Sequence, residues 1–142
     1  MASQEAYAHD EYKRRIIAAS AEDIARTALF GPEWPDQPMR VIRNRVVREW
    51  AGRDHKTPPP SDPPHIIGRT VVLGQAYAMP RFSAILPTPD TTRDFEEMCL
   101  AAEEGTELVK AIKPVAQIVR EMMDEAKQII EERLVRIIGD GA

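Results

Sequence analysis

The sequence has little of what secreted and membrane-spanning proteins depend on. Its 142 residues include one cysteine, Cys99, so no disulfide can form within the chain and a reducing compartment is favoured. No apolar run approaches the ~20 residues that cross a bilayer, so no membrane partner is expected. The first residues lack the basic start and apolar block of a secretion signal. We therefore predict a cytoplasmic protein, or one inside a virion assembled in the cytoplasm.

Motifs for catalysis and cofactor binding are also missing from the sequence. The three histidines and one cysteine lack the spacing of a zinc site. No Gly-x-Ser-x-Gly elbow is present, and the isolated glycines form neither a Walker loop nor a dinucleotide fingerprint. Cys99 follows two glutamates, whose charge disfavours a thiolate, so we interpret it as a small core residue. The sequence thus predicts no catalytic, cofactor or metal site, no evident small-molecule substrate, and a protein that is not an enzyme.

What the chain does contain is helix-forming sequence in an ordinary globular balance, with 43% hydrophobic and 30% charged residues. Ser20 followed by Asp23, and Thr91 followed by Asp94, are typical of capping boxes at helix starts. We predict helices over residues 4–29 (bent or broken near Ser20), 37–51, 92–104 and 114–138. The expected fold is mainly α: a C-terminal antiparallel helical pair packed with N-terminal helices.

A proline-rich stretch interrupts the predicted helices. Five prolines in residues 53–65 favour an extended connector. It separates an N-terminal helical part, 1–52, from residues 66–142, although one domain with an extended arm is an alternative. The arm is more typical of a stiff spacer or an arm lying on a neighbour than of a ligand for an aromatic groove. Within 66–86, β-branched residues and Gly74-Gln75 predict a short β-hairpin or extended segment.

The last helix has the clearest pattern in the chain. At about 100° per residue, ten apolar positions fall within an arc of roughly 160°, which is wide enough to touch two neighbours and predicts the core helix of a bundle. These positions are Val115, Ile118, Val119, Met122, Met123, Ala126, Ile129, Ile130, Leu134 and Ile137. Arg133 lies within the arc, where it could snorkel or pair with a carboxylate at a contact between helices or subunits.

Charge is unevenly distributed along the chain. Residues 38–56 carry six basic residues against two acidic ones, and residues 90–107 carry seven acidic residues against one basic. The first segment is a candidate nucleic-acid reader, because arginine suits phosphates and guanine edges. Its arginines could instead pair with the acidic segment, and the overall pI of about 5.4 counts against a nucleic-acid domain.

Two functional hypotheses follow from these patterns. The first is a non-enzymatic assembly or adaptor protein that acts through protein–protein contacts and self-associates as a homo-oligomer or larger assembly, by analogy a component of a phage or other macromolecular particle. Its candidate contact residues are Trp34, Met122, Ile129, Ile130, Arg133, Leu134 and Ile137. The alternative is a nucleic-acid-binding regulator or packaging factor. Its candidate reading residues are Arg40, Arg43, Asn44, Arg45 and Arg48.

Overall fold

The computed structural model describes residues 2–134, without the side chains of Arg133 and Leu134, and it has a mixed α/β fold. The helices are α1 (Asp10–Ala18), α2 (Arg45–Glu49) and α3 (Val115–Ile129). The strands are β1 (Ile24–Thr27), β2 (Met39–Ile42), β3 (Ile66–Val72), β4 (Gln75–Pro80) and β5 (Thr92–Arg93). In the described residues, β1 pairs with β2, and a second antiparallel sheet has the order β4-β3-β5. The prediction of a mainly α, helical protein is therefore wrong.

The predicted break near Ser20 ends a helix but does not begin another. The Asp23 carboxylate accepts hydrogen bonds from the backbone N–H and the hydroxyl of Ser20, at 2.9 and 2.8 Å. This capping box begins only a single 3-10 turn, Ala21–Asp23, and β1 begins directly after it at Ile24. Ile24 lies opposite Ile42 of β2, so cross-strand pairing of buried β-branched residues has overridden local helix propensity.

The predicted helix over 37–51 is split into a strand and one short helix. Asn44 is the N-cap of α2, and its side-chain oxygen accepts from the Val47 N–H at 3.3 Å. Its amide also donates to the carbonyls of Phe95 and Met98, at 3.1 and 2.8 Å. Because the helix begins after Asn44, the residues before it are free to form β2. Asparagine is strongly favoured at this capping position, which is the sequence signal for the boundary.

The acidic segment, predicted as a helix over 92–104, contains only β5 and the beginning of a 3-10 turn, Glu104–Leu108. Its backbone bonds to the segment around β2 and α2, where the carbonyls of Glu96 and Leu100 accept from Val46 and Ile42. The Thr91 hydroxyl, expected to cap a helix, instead donates to the Thr70 hydroxyl at 2.8 Å. These long-range hydrogen bonds take the place of the i to i−4 hydrogen bonds of an α-helix in residues 92–104. The predicted C-terminal helical pair is therefore absent from the described residues.

A hairpin lies within residues 66–86, as the sequence predicts, but its turn is Leu73-Gly74, one residue before the predicted Gly74-Gln75. β3 and β4 are joined by Leu73 and Gly74, which both have positive φ, of 51° and 77°. Two-residue hairpin turns of this kind require positive φ at both positions, which glycine adopts without strain. β5 then adds a third strand to the free edge of β3.

The core is built from both sides of the proline connector. One apolar cluster joins Leu29, Phe30 and Val41 to Phe82 and Cys99. A second joins α1 to Ile42 and Leu100, and a third lies under β3 and β4. The connector is part of the same body, which we define as residues 2–113, because the Thr57 hydroxyl donates to the Ala28 carbonyl at 2.8 Å.

Asn44→Ala tests whether this one side chain holds the acidic segment to α2. The change removes a helix cap, leaves the buried Met98 carbonyl without this donor and takes one of two donors from the Phe95 carbonyl, so we expect the free energy of unfolding to fall by about 2–4 kcal/mol. Urea denaturation followed by near-UV circular dichroism gives the measurement. Gln37→Ala, at an exposed amide, is the control and should be neutral. A loss no larger than that of the control would contradict the role of Asn44.

Candidate functional site: an exposed helix and a paired charge cluster

α3 extends from the body, with Gln117 and Ile118 half-buried and residues 119–129 exposed. Its first N–H bonds to the Glu5 carboxylate at 3.0 Å, and Lys113 pairs with Glu121 at 2.6 Å. None of its fifteen residues is buried. The helix predicted as a bundle core therefore has no core around it, because the segment expected to pack against it is not helical.

The outward face of α3 is a continuous apolar stripe. Its large exposed side chains are Val115, Val119, Met122, Met123 and Ile129, with Ile130 in the π-helical turn Ile130–Leu134 that follows. Met122 and Met123 are 64% and 66% exposed. Single exposed apolar residues are ordinary, but a contiguous stripe marks an interaction surface. An isolated helix of this length is marginal in water, so a covering partner would also stabilise it.

The predicted contact residues have different positions in the structure. Met122, Ile129 and Ile130 are exposed and lie on the stripe. Trp34 is also exposed, but it lies in the loop between β1 and β2 and not on α3. The side chains of Arg133 and Leu134, and all of Ile137, lie outside the described part of the chain.

Four of the five candidate nucleic-acid residues, all but Arg43, contact the protein's own acidic segment. Arg40 pairs with Glu103 and Glu104, and Arg48 pairs with Glu96. Arg43 donates to the backbone carbonyl of Glu22 at 3.3 Å. Asn44 is buried and bonded as described above. The structure thus contains the intramolecular pairing that the charge distribution left open.

Glu97 is the centre of this pairing. It is 9% exposed and accepts from Arg81 Nε at 2.7 Å and from Arg45 Nη2 at 2.9 Å. The neighbouring Glu96 accepts from Arg15 Nη1 at 2.6 Å and from the Arg45 backbone N–H at 2.7 Å. Sequence reasoning did not single out Arg15 or Arg81. The available signal was the charge of residues 90–107, which contain seven carboxylates and one arginine. Such a segment needs basic side chains from other parts of the chain as partners.

The pKa values of two carboxyls in the cluster reflect these contacts. Burial acts to raise the pKa of Asp94, but hydrogen bonds from the Arg45 side chain and the Glu96 backbone outweigh it, and the pKa is lowered. For Glu96, burial is likewise outweighed by hydrogen bonds from Arg15 and the Arg45 backbone, so its pKa is also lowered. Both carboxyls are therefore held in the charged form, which is the form that pairs with arginine.

The rest of the described chain offers little catalytic chemistry. Cys99 is fully buried, and burial raises its pKa to about 12, so the thiol is a core group as the sequence predicted. In residues 2–134 there is no group of three or more metal-ligating side chains. A cavity of about 170 Å³ between the connector and the end of β4 is lined mainly by prolines and Phe82. No helix in the described chain has the length and apolar composition to span a membrane.

Comparison with known proteins shows a likeness of fold. No family model and no curated protein matches this chain. The solved structure of a point mutant of FabK from Thermotoga maritima is similar, with a TM-score of 0.54 and 24% sequence identity. The similarity covers 92% of this chain and 32% of the FabK chain. The chain therefore spans about a third of the length of the structure that it matches.

Glu97→Ala tests the central carboxylate of the cluster. Removing it leaves two arginines without this partner in a partly buried site, and we expect a loss of about 1–3 kcal/mol in the free energy of unfolding. The matched control is Glu103→Ala in the same segment, because Glu103 is exposed and pairs with Arg40 at 3.6 Å. An exposed pair of this kind contributes less than about 1 kcal/mol. Equal losses in the two variants, measured by urea denaturation, would contradict a special role for Glu97.

The lowered pKa values of Asp94 and Glu96 also predict acid sensitivity. Groups with a depressed folded-state pKa stabilise the protein above their unfolded-state values of about 4, and this stabilisation disappears as the pH falls through the folded-state values. We expect the free energy of unfolding to fall between about pH 5 and pH 2. The double variant Asp94→Asn, Glu96→Gln should be less stable at pH 7 and lose less on acidification. Parallel pH profiles for the two proteins would count against this assignment.

Proposed function

We propose that this chain works through protein–protein contacts made by α3, that it self-associates through them, and that it is not a free-standing enzyme. The observation that carries the proposal is the apolar stripe of α3, whose large side chains other than Ile118 are exposed in the described part of the chain. Burial of one such side chain contributes about 1.5–3 kcal/mol. Several of them together can offset the estimated 4–15 kcal/mol cost of bringing two molecules together.

The charge cluster supports protein contact over nucleic-acid binding. Arg40, Arg45 and Arg48 already contact carboxylates of residues 94–104. A phosphate backbone would have to displace these ion pairs, and the net charge of −4 opposes its approach. The nucleic-acid hypothesis therefore ranks below association through α3.

The likeness to FabK favours a second candidate function, that of one part of a larger FabK-like enzyme. FabK is an enzyme, and its matched region is a third of its chain. The match extends over 92% of this chain, which is more than residues 2–113 can account for, so it includes part of the chain beyond the body. Under this second hypothesis, a further polypeptide corresponding to the unmatched two-thirds of FabK covers the stripe. Enzymatic activity would require both parts.

Substitutions on the stripe test the first candidate. We expect the wild-type mass, measured by sedimentation equilibrium between about 1 µM and about 1 mM, to rise from monomer towards dimer, a range that corresponds to about 8 to 4 kcal/mol of association. Met122→Glu and Met123→Glu should each abolish the rise by placing a charge in the apolar contact. Asp124→Ala, on the opposite side of α3, is the control and should associate like the wild type.

Helix content separates the two candidates. Self-association should increase the far-UV circular dichroism of α3 with protein concentration, because pairing stabilises a helix that is marginal alone. A monomeric mass with constant helix content over the whole range contradicts self-association and favours the FabK-like part. Stripe variants that associate as well as wild type contradict α3 as the contact.

A further inference from the structure

The cavity between the proline connector and the end of β4 has the size of a single ring. Six of its ten lining residues are prolines, and the others are Ser61, His65, Arg81 and Phe82. Its volume is about 170 Å³. Pockets for drug-sized ligands occupy about 300–1,000 Å³, whereas an engineered apolar cavity of about 150 Å³ binds benzene. The space therefore fits one six-membered ring and excludes a larger ligand.

Both walls of the cavity are held by hydrogen bonds. On the connector side, the Ser61 hydroxyl accepts from the His65 N–H at 3.0 Å. On the opposite side, the Phe82 carbonyl accepts from the Gly31 N–H at 2.8 Å. The Arg81 N–H joins the two walls, because it donates to the His65 carbonyl at 2.8 Å. The space between the walls is therefore preformed and needs no rearrangement to accept a ring.

Phe82 is held in the cavity wall in a conformation that its side chain disfavours. Its φ is 68°, in the left-handed region that bulky residues rarely adopt. Trp50 packs edge-on against the Phe82 ring, with the ring centroids 5.1 Å apart. Strained residues persist where the surrounding structure fixes them, and they cluster at functional and ligand sites. The structure thus keeps an aromatic side chain in this wall at a cost in local backbone strain.

The lining is rich in hydrogen-bond acceptors. Proline has no backbone N–H, and the carbonyls of four lining prolines accept no hydrogen bond from the described residues. These prolines are Pro58, Pro59, Pro60 and Pro64. The His65 side chain is exposed, and a neutral imidazole adds one more acceptor nitrogen. A ring that carries a hydrogen-bond donor, such as a hydroxyl, therefore matches this lining.

The guanidinium group in the lining is already balanced by carboxylates. Arg81 Nε donates to the Glu97 carboxylate at 2.7 Å, and Arg81 Nη2 lies 3.3 Å from a Glu49 oxygen. The guanidinium carbon lies 5.1 Å from the centre of the Phe82 ring. Two carboxylates this close to Arg81 leave no net positive charge to attract an anion. The lining therefore favours a neutral ligand over a carboxylate or a phosphate.

We propose that this cavity binds the ring of a phenol, which packs against Phe82 and the prolines. The phenol hydroxyl donates to a carbonyl of the connector or to the His65 imidazole. The ring comes either from a free small phenol or from a tyrosine side chain of another molecule. The site is independent of the contacts proposed for α3, because no α3 residue lines it.

The test is a titration of the full chain with p-cresol, followed by NMR through the amide signals of Ser61, His65, Arg81 and Phe82. We expect saturable shifts of these signals, with a dissociation constant of about 1 mM. Toluene keeps the ring but lacks the hydroxyl, and p-toluate carries an anion in place of the donor. Each should bind about fivefold more weakly than p-cresol, because each lacks the hydrogen bond that the hydroxyl donates.

His65→Ala removes part of the wall without touching the core, because the His65 side chain is exposed. We expect it to raise the dissociation constant of p-cresol about threefold or more while the thermal midpoint of unfolding stays unchanged. The matched control is His55→Ala, near the other end of the connector, where the side chain is exposed and does not line the cavity. This control should bind p-cresol like the wild type.

N-acetyl-tyrosinamide distinguishes the two sources of the ring. If it binds as tightly as p-cresol, the cavity accommodates a peptide backbone beside the ring and a tyrosine of another molecule is favoured. Binding of p-cresol alone favours a free phenol. Four results overturn the proposal: no saturable shift with p-cresol, equal binding of toluene or p-toluate, unchanged affinity in His65→Ala, or shifts centred on the exposed α3 residues Met122 and Met123.

Discussion

The body depends on the attachment of one acidic stretch, residues 94–97, to arginines from three separate elements. Arg15 comes from α1, Arg45 from α2, and Arg81 directly follows β4. Because these elements are distant in sequence, the carboxylates connect parts of the chain that apolar contacts alone would orient less strictly. Phe95 in this stretch and Met98 just after it supply carbonyls to Asn44, so the same part of the chain is held both by ion pairs and by the helix-capping side chain.

This attachment also explains which features could be predicted from the sequence. The β3–β4 hairpin depends on neighbouring residues and a two-residue turn, and local pattern was sufficient to place it. The start of α3 after Pro114 was likewise local. Residues 92–104 have helix-like composition, but the backbone groups of Glu96, Leu100 and Ala102 bond to residues fifty or more positions away, which no local pattern reports. Asn44 was the exception, because its preference for the N-cap was present in the sequence and was read as part of a helix face.

The candidate site shows the same division between local and long-range information. The 3.6-residue periodicity of α3 identified the apolar stripe correctly, since periodicity is a property of one segment. What covers the stripe depends on a second surface, and the sequence of α3 is compatible with a core, a second copy or a larger FabK-like body. The arginines of residues 40–48 were similarly recognisable as a group, and the acidic segment was one of their two possible partners. Which carboxylate pairs with which arginine became evident only from the fold.

The weak connection between α3 and the body has a consequence for how the molecule unfolds. The body has its own buried clusters, whereas α3 contributes no buried residue to them. Cooperative units of this kind open independently, with different free energies. Backbone amides of α3 should therefore exchange with solvent much faster than those of β1 and β2 when the chain is alone. The chain is then a stable folded unit carrying a helix whose order depends on what it meets.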